Sequence, residues 1–197
     1  MPITVAYPMC NKKESNPKMA VFDEADLQRP DQLDWKILQN GAISLYFDRK
    51  VLHEACTWFR NHGYQLYLFD CTQWKTLENF YKAAKDILNL PEYCGGNLDS
   101  FRDCLWSIDI PQESGAVMVF TGLETFYRRW QDFSFELLDI LEKQSRDFLL
   151  FGRRFIVLIQ SNHPNLSFQP VGARPIVLNP EEQEIHLRNL LKKNIKH

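Results

Sequence analysis

The chain has 197 residues, of which 45% are hydrophobic, 13% aromatic and 24% charged, with a net charge of −2 at pH 7. This balance fits a folded domain with an ordinary core, argues against extensive disorder and gives no whole-chain case for nucleic-acid binding through charge. No apolar run approaches the roughly 18 residues of a membrane span, and residues 1–10 lack a basic start followed by a long apolar stretch, so neither an anchor nor a signal peptide is expected. The cysteines, Cys10, Cys56, Cys71, Cys94 and Cys104, are odd in number and show neither a CxxC pair nor the spacing of a zinc site or disulfide framework. Reduced thiols in a cytoplasmic protein are the expectation.

Residues 1–34 mix Pro, Asn, Lys, Asp and Glu with little periodicity and read as a loosely ordered segment unless Val5 to Tyr7 or Met19 to Phe22 docks. From Trp35 to Phe47, WKILQNGAISLYF predicts two short strands joined at Asn40-Gly41 in a hairpin. Arg49 to His62 places Val51, Leu52, Ala55, Trp58 and Phe59 at helical spacing and stops at Gly63. Tyr64 to Cys71 is a short aromatic and aliphatic strand, and Thr76 to Leu88 is a helix with Leu77, Phe80, Ala84, Ile87 and Leu88 on one face.

Ala116 to Phe120 and Phe155 to Gln160 read as buried strands, with a helix from Trp130 to Gln144 between them that turns Phe133, Leu137, Leu138 and Leu141 inward. Alternating strands and helices predict an α/β domain with a parallel sheet and right-handed crossovers. After a loop from His163, Asn179-Pro180-Glu181-Glu182 supplies an N-cap, a proline at N1 and first-turn acids. A terminal helix then runs to Lys193, with Arg188, Lys192, Lys193 and Lys196 near its negative end.

The most specific segment is Leu90 to Leu105, LPEYCGGNLDSFRDCL, a proline-glycine loop opening into a short helix. Asn97 is a suitable N-cap, and Gly95 and Gly96 permit a φ > 0 entry. Asp99 and Asp103 are spaced i,i+4 and share a helix face, where two like charges weaken an isolated helix. Asp99 by itself is explained by the helix dipole, worth about 0.3–1 kcal/mol in the first turn; Asp103 lies too far along for that benefit. Arg102 can pair with Asp99 at i,i+3, while Leu98, Phe101, Cys104 and Leu105 fall on the core side. Between Asn89 and Gly115 five acids (Glu92, Asp99, Asp103, Asp109, Glu113) face one base (Arg102), a local charge of −4 that suits a basic partner. Tyr93 reads either as an interface anchor or as a tyrosine packed on the domain edge.

Leu90, Pro91, Tyr93, Gly95, Asn97, Leu98, Asp99, Asp103, Cys104 and Leu105 stand in register with the run Leu/Phe-Pro-x-Tyr-Tyr-Gly-x-Asn-Leu-Asp-Ala-x-x-Asp-Cys-Leu. The chain thereby resembles the barstar family of intracellular ribonuclease inhibitors, over roughly Tyr64 to Gln160. Cys94 replaces the second tyrosine, Gly96 falls at a variable position and Arg102 replaces a tryptophan. The resemblance implies a small parallel three-stranded sheet packed with helices, with N-terminal strand and helix and C-terminal helix extensions. It divides the chain into residues 1–34, an N-terminal extension over 35–63, the core over 64–160 and a C-terminal loop and helix over 161–197. It also implies a cytoplasmic immunity protein that blocks a basic ribonuclease toxin in a one-to-one complex, without catalysis, cofactor, metal, membrane contact or direct nucleic-acid contact.

In that reading Asp103 is the central phosphate-mimicking carboxylate, Asp99 its neighbour, and Tyr93, Gly95, Asn97 and Arg102 shape the contact. A glycine loop at a helix start can hold phosphate, but Asp99 in the first turn repels an anion and no Lys-Ser/Thr follows. The histidines, His53, His62, His163, His186 and His197, fit no catalytic signature, and Asp99 with Asp103 lacks metal-ligand spacing. The alternative is a scaffold or nucleic-acid-associated interaction domain acting through the basic C-terminal helix.

Overall fold

The computed structural model describes Phe22 and residues 32–94, 96–163 and 166–185. Of the segment read as loosely ordered, residues 1–34, all but Phe22 and residues 32–34 lie outside the described residues, as do Gly95 and the basic end of the terminal helix with Arg188, Lys192, Lys193 and Lys196.

The elements run α1 (Leu33–Asn40), β1 (Ile43–Tyr46), α2 (Arg49–Asn61), β2 (Gln65–Asp70), α3 (Leu77–Leu88), α4 (Leu98–Cys104), β3 (Ala116–Thr121), α5 (Leu123–Arg129), α6 (Gln131–Leu150), β4 (Phe155–Gln160) and β5 (Val177–Leu178). Single 3₁₀ turns follow β2 at Cys71–Gln73 and α4 at Leu105–Ser107. The strands form one sheet in the order β2-β3-β4-β1-β5, and every pairing is parallel. The expected three-stranded parallel core is β2-β3-β4; β1 and the two-residue β5 widen it to five strands.

Period-two alternation sends neighbouring strand residues to opposite faces, and both faces are covered by helices. On one face Tyr46, Val117, Val119, Ile156 and Leu158 pack with Leu33 and Ile37 of α1 and Val51, Leu52 and Phe59 of α2. On the other, Phe69, Met118, Phe120, Val157 and Ile159 meet Phe80 of α3, Phe101 of α4, Phe126 of α5 and Leu137, Leu141 and Phe148 of α6. All six residues of β4 are buried, as a central strand between two helical layers requires.

The hairpin expected from Trp35 to Phe47 does not form. Its first half is the helix α1, and its second half, β1, pairs in parallel with β4 and β5. Leu33 and Ile37, four apart, are both buried, and Asp34 in the first turn accepts a hydrogen bond from the Tyr64 hydroxyl (2.6 Å) and lies 3.3 Å from the Arg154 guanidinium. These tertiary anchors outweigh the local turn preference of Asn40-Gly41. Gly41, at φ 120°, ends the helix instead of reversing a strand. Phe22 packs edge-on against Trp35 with ring centroids 4.7 Å apart.

Two further differences concern extents. The helix read as Trp130 to Gln144 begins at Gln131 and continues to Leu150, and α5 precedes it without having been anticipated. Gly122, at φ 66°, permits the break between β3 and α5, and a Cβ there would lie 2.5 Å from Thr72 Cγ2. The expected cap at Asn179 is present: its Oδ1 accepts from Glu181 N at 2.9 Å, and its Nδ2 donates to the buried Tyr46 hydroxyl at 2.7 Å. Glu182, in the helical stretch 180–185, accepts from Phe47 N and Asp48 N at 3.1 Å and so ties the C-terminal segment to the turn after β1.

Glu142 of α6 is buried and accepts from Ala42 N at 2.9 Å. Burial raises its carboxyl above the ordinary glutamate value, against the opposing pull of the Ala42 N–H and of Arg146 and Arg174. The folded chain therefore holds this proton more tightly than the unfolded chain. The resulting stability is fully present below the unfolded pKa and is lost as pH rises through the folded one. Urea unfolding at stepped pH should show the wild type gaining stability relative to Glu142→Gln as pH falls from neutral toward the ordinary glutamate range; a difference constant with pH contradicts this.

Candidate functional site: a closed acidic loop and helix

The chain leaves α3 through Asn89, which adopts the left-handed conformation at φ 52°, and Leu90 N donates back to Lys85 O at 3.0 Å. Lys85 Nζ then meets the Glu92 carboxylate at 2.6 Å, and Cys94 N donates to Pro91 O at 2.9 Å to form a turn. Tyr93 projects from this turn and is 79% exposed. Gly96 has φ 136°, and nothing lies within 4 Å of where its Cβ would stand, so backbone geometry rather than crowding favours glycine there.

Asn97 caps α4 as expected, its Oδ1 accepting from Ser100 N at 2.8 Å. Leu98, Phe101 and Cys104 are buried, which turns Asp99 and Asp103 to solvent with their side chains 81% and 76% exposed. Arg102 reaches both, 3.3 Å from Asp99 Oδ1 and 3.7 Å from Asp103 Oδ1. The structure thus gathers Tyr93, Asn97, Asp99, Arg102 and Asp103 on one short unit, while Gly95 lies outside the described residues.

One expectation is corrected here. Cys94 and Cys104, expected to be reduced, form a disulfide with Cα atoms 6.0 Å apart. No CxxC spacing announces it, because folding rather than sequence proximity brings the start of the loop against the last turn of α4. Cys56 and Cys71 are free and buried, and burial raises both thiols, so neither has the character of a reactive thiolate.

Two neighbouring features escaped the sequence reading. Trp106, just past α4, lies edge-on to Phe148 and Phe151, and Leu150 and Phe151 are largely exposed at the end of α6. On the other side, α3, α4 and α6 enclose a groove of about 570 Å³ that includes Asn97 and Asp99. The i,i+3 pairs Glu78 with Tyr81 and Phe133 with Glu136 were visible as helix neighbours, but only packing places the two helices across one groove. Among the described residues no group of three or more His, Cys, Asp or Glu is placed to hold a metal ion, and no helix is long and apolar enough to cross a membrane.

A parallel α/β sheet carrying a capped acidic loop-helix between its second and third strands defines the class of this protein. The sequence profile of the family described as Barstar (barnase inhibitor) matches residues 64–160, from the start of β2 to the end of β4. Residues 64–160 are thus a barstar-family domain. No curated protein matches the chain. A chain in the solved structure of Drosophila ORC bound to AT-rich DNA and Cdc6 is similar at 14% identity and a TM-score of 0.42, over 76% of this chain and 55% of that one. The present chain therefore spans little more than half of that protein's length, and the likeness is too weak to bear on function.

Opening the disulfide releases a loop of 94–104 and should lower stability by about 2–3 kcal/mol. In urea unfolding with and without reductant, Cys94→Ser should match the reduced wild type. Hydrogen exchange should quicken at Tyr93, Cys94, Gly96 and Asn97 on reduction, with β3 and β4 unchanged; equal exchange in both states would show that the bond does not hold the loop.

Proposed function

We propose that the protein is an inhibitor of a basic ribonuclease, an immunity protein that occupies the nuclease active site with the acidic face of α4. The observation that carries this reading is the exposure of both carboxylates on a helix held at both ends, by the Asn97 cap and by the Cys94–Cys104 bond. A cleft that binds RNA must present Arg, Lys or His to a phosphate. Asp103 and Asp99 offer anionic oxygens in place of that phosphate without the entropy cost of ordering a flexible segment. Arg102 keeps the two carboxylates near one another while leaving further lone pairs for a partner's donors, and Tyr93 supplies an exposed aromatic anchor beside them.

The complex is one-to-one and involves no catalysis by this chain. We place it in the cytoplasm, where a nuclease toxin would meet cellular RNA. A reducing compartment exposes the disulfide to thiols. The cap and the buried Leu98 and Phe101 continue to orient the two aspartates when that bond is open.

Asp103→Ala should weaken binding of the cognate ribonuclease by about 2–5 kcal/mol at unchanged thermal stability, as measured by calorimetry; affinity within twofold of wild type defeats the reading. The association rate should fall as the Debye length shrinks from about 30 Å at 0.01 M salt to about 8 Å at 0.15 M. Stopped-flow rates indifferent to salt would exclude electrostatic guidance.

A further inference from the structure

The groove beside α4 has an apolar and aromatic floor, to which Leu77, Tyr81 and Phe133 contribute, and an acidic rim of Glu78 from α3, Asp99 from α4 and Glu136 from α6. Tyr81 and Phe133 meet edge-on, with ring centroids 5.9 Å apart at 88°. Among the described residues Glu78 and Glu136 make no ion pair with Lys or Arg, and no basic residue lines the groove. The three carboxylates come from three different helices, so nothing in the stability of any one helix asks for them together. Asp99 already shares Arg102 with Asp103, so the charge left for a further cation is chiefly that of Glu78 and Glu136.

We propose that this groove receives an arginine side chain of the basic partner, as a second contact point continuous with the acidic face of α4. The inference rests on the inhibitor reading for the identity of that partner. Continuity comes from Asn97 and Asp99, which belong both to the proposed inhibitory unit and to the groove. The choice of arginine follows from the lining. A guanidinium is planar, weakly hydrated and able to lie against aromatic rings while its N–H groups fork toward carboxylates, whereas an ammonium is a compact and strongly hydrated charge. Burial, and secondarily the charge of Glu136, raise the Tyr81 hydroxyl above its ordinary value, in keeping with a carboxylate close to that ring.

The full isotope-labelled chain is titrated with blocked tetra-arginine, tetra-lysine and tetra-citrulline peptides and followed by NMR. Tetra-arginine should give saturable shifts centred on Glu78, Tyr81, Leu98 and Phe133. Affinity should be about fivefold weaker for tetra-lysine and for the Glu78→Gln/Glu136→Gln chain, and tetra-citrulline should not saturate. Shifts centred elsewhere, equal affinity for lysine, or an unchanged titration of the double variant each overturn the proposal. Asp103→Ala separates the two readings, because it should weaken ribonuclease binding and leave the peptide titration intact. A ribonuclease complex that forms with a silent groove removes the groove and spares the inhibitor. A groove that fills with arginine in a chain that inhibits no ribonuclease supports the arginine site and removes that enzyme as its source.

Discussion

The packing of Phe101 against Phe80, with ring centroids 5.4 Å apart and nearly perpendicular, sets the orientation of everything on α4. A seven-residue helix is too short to be stable in isolation, so its existence depends on the face it buries. Leu98, Phe101 and Cys104 occupy that face, and helical geometry then sends Asp99 and Asp103 the other way. Phe80 is in turn held by Trp74 and Phe133, and Trp74 by Phe126 and Phe120. An aromatic chain therefore runs from β3 to the acidic helix, and the core orients the carboxylates through it.

The acidic surface of α4 stands open to solvent. Asp99 and Asp103 share the cation Arg102, which offsets part of their mutual repulsion while both side chains stay in solvent. Pairs this exposed add little to folding, and the helix dipole that accounts for Asp99 does not reach Asp103. The loop side is treated differently. Lys85 with Glu92, the Pro91 to Cys94 turn and the disulfide all restrain the segment that presents Tyr93. Restraint of this kind reduces the ordering cost at the moment of binding.

The regions outside the family-matched segment complete the scaffold. β1 inserts beside β4, the buried Tyr46 hydroxyl accepts from Asn179, and Glu182 accepts from the backbone N–H groups of Phe47 and Asp48. Glu142 plays the same part for Ala42 at the other end of β1. The site itself lies on the opposite margin of the sheet, between β2 and β3, so these regions support the strands without entering the acidic surface.

How much was legible from the residues alone depends on the range of the forces involved. The helices α2 and α3, the strands β2, β3 and β4 and the caps at Asn97 and Asn179 follow from periodicity and from side chains acting within four residues. The outward pairing of Asp99 with Asp103 follows for the same reason. Trp35 to Phe47 misled because Asn40-Gly41 is a strong local turn signal, while the deciding contacts came from Tyr64, Arg154 and β4, far along the chain. The Cys94–Cys104 bond and the groove between Tyr81 and Phe133 likewise depend on where separate elements dock. Local sequence determined which carboxylates face outward. Tertiary packing alone decided what stands beside them, because each such neighbour is supplied by a helix or loop whose position no short-range preference can set.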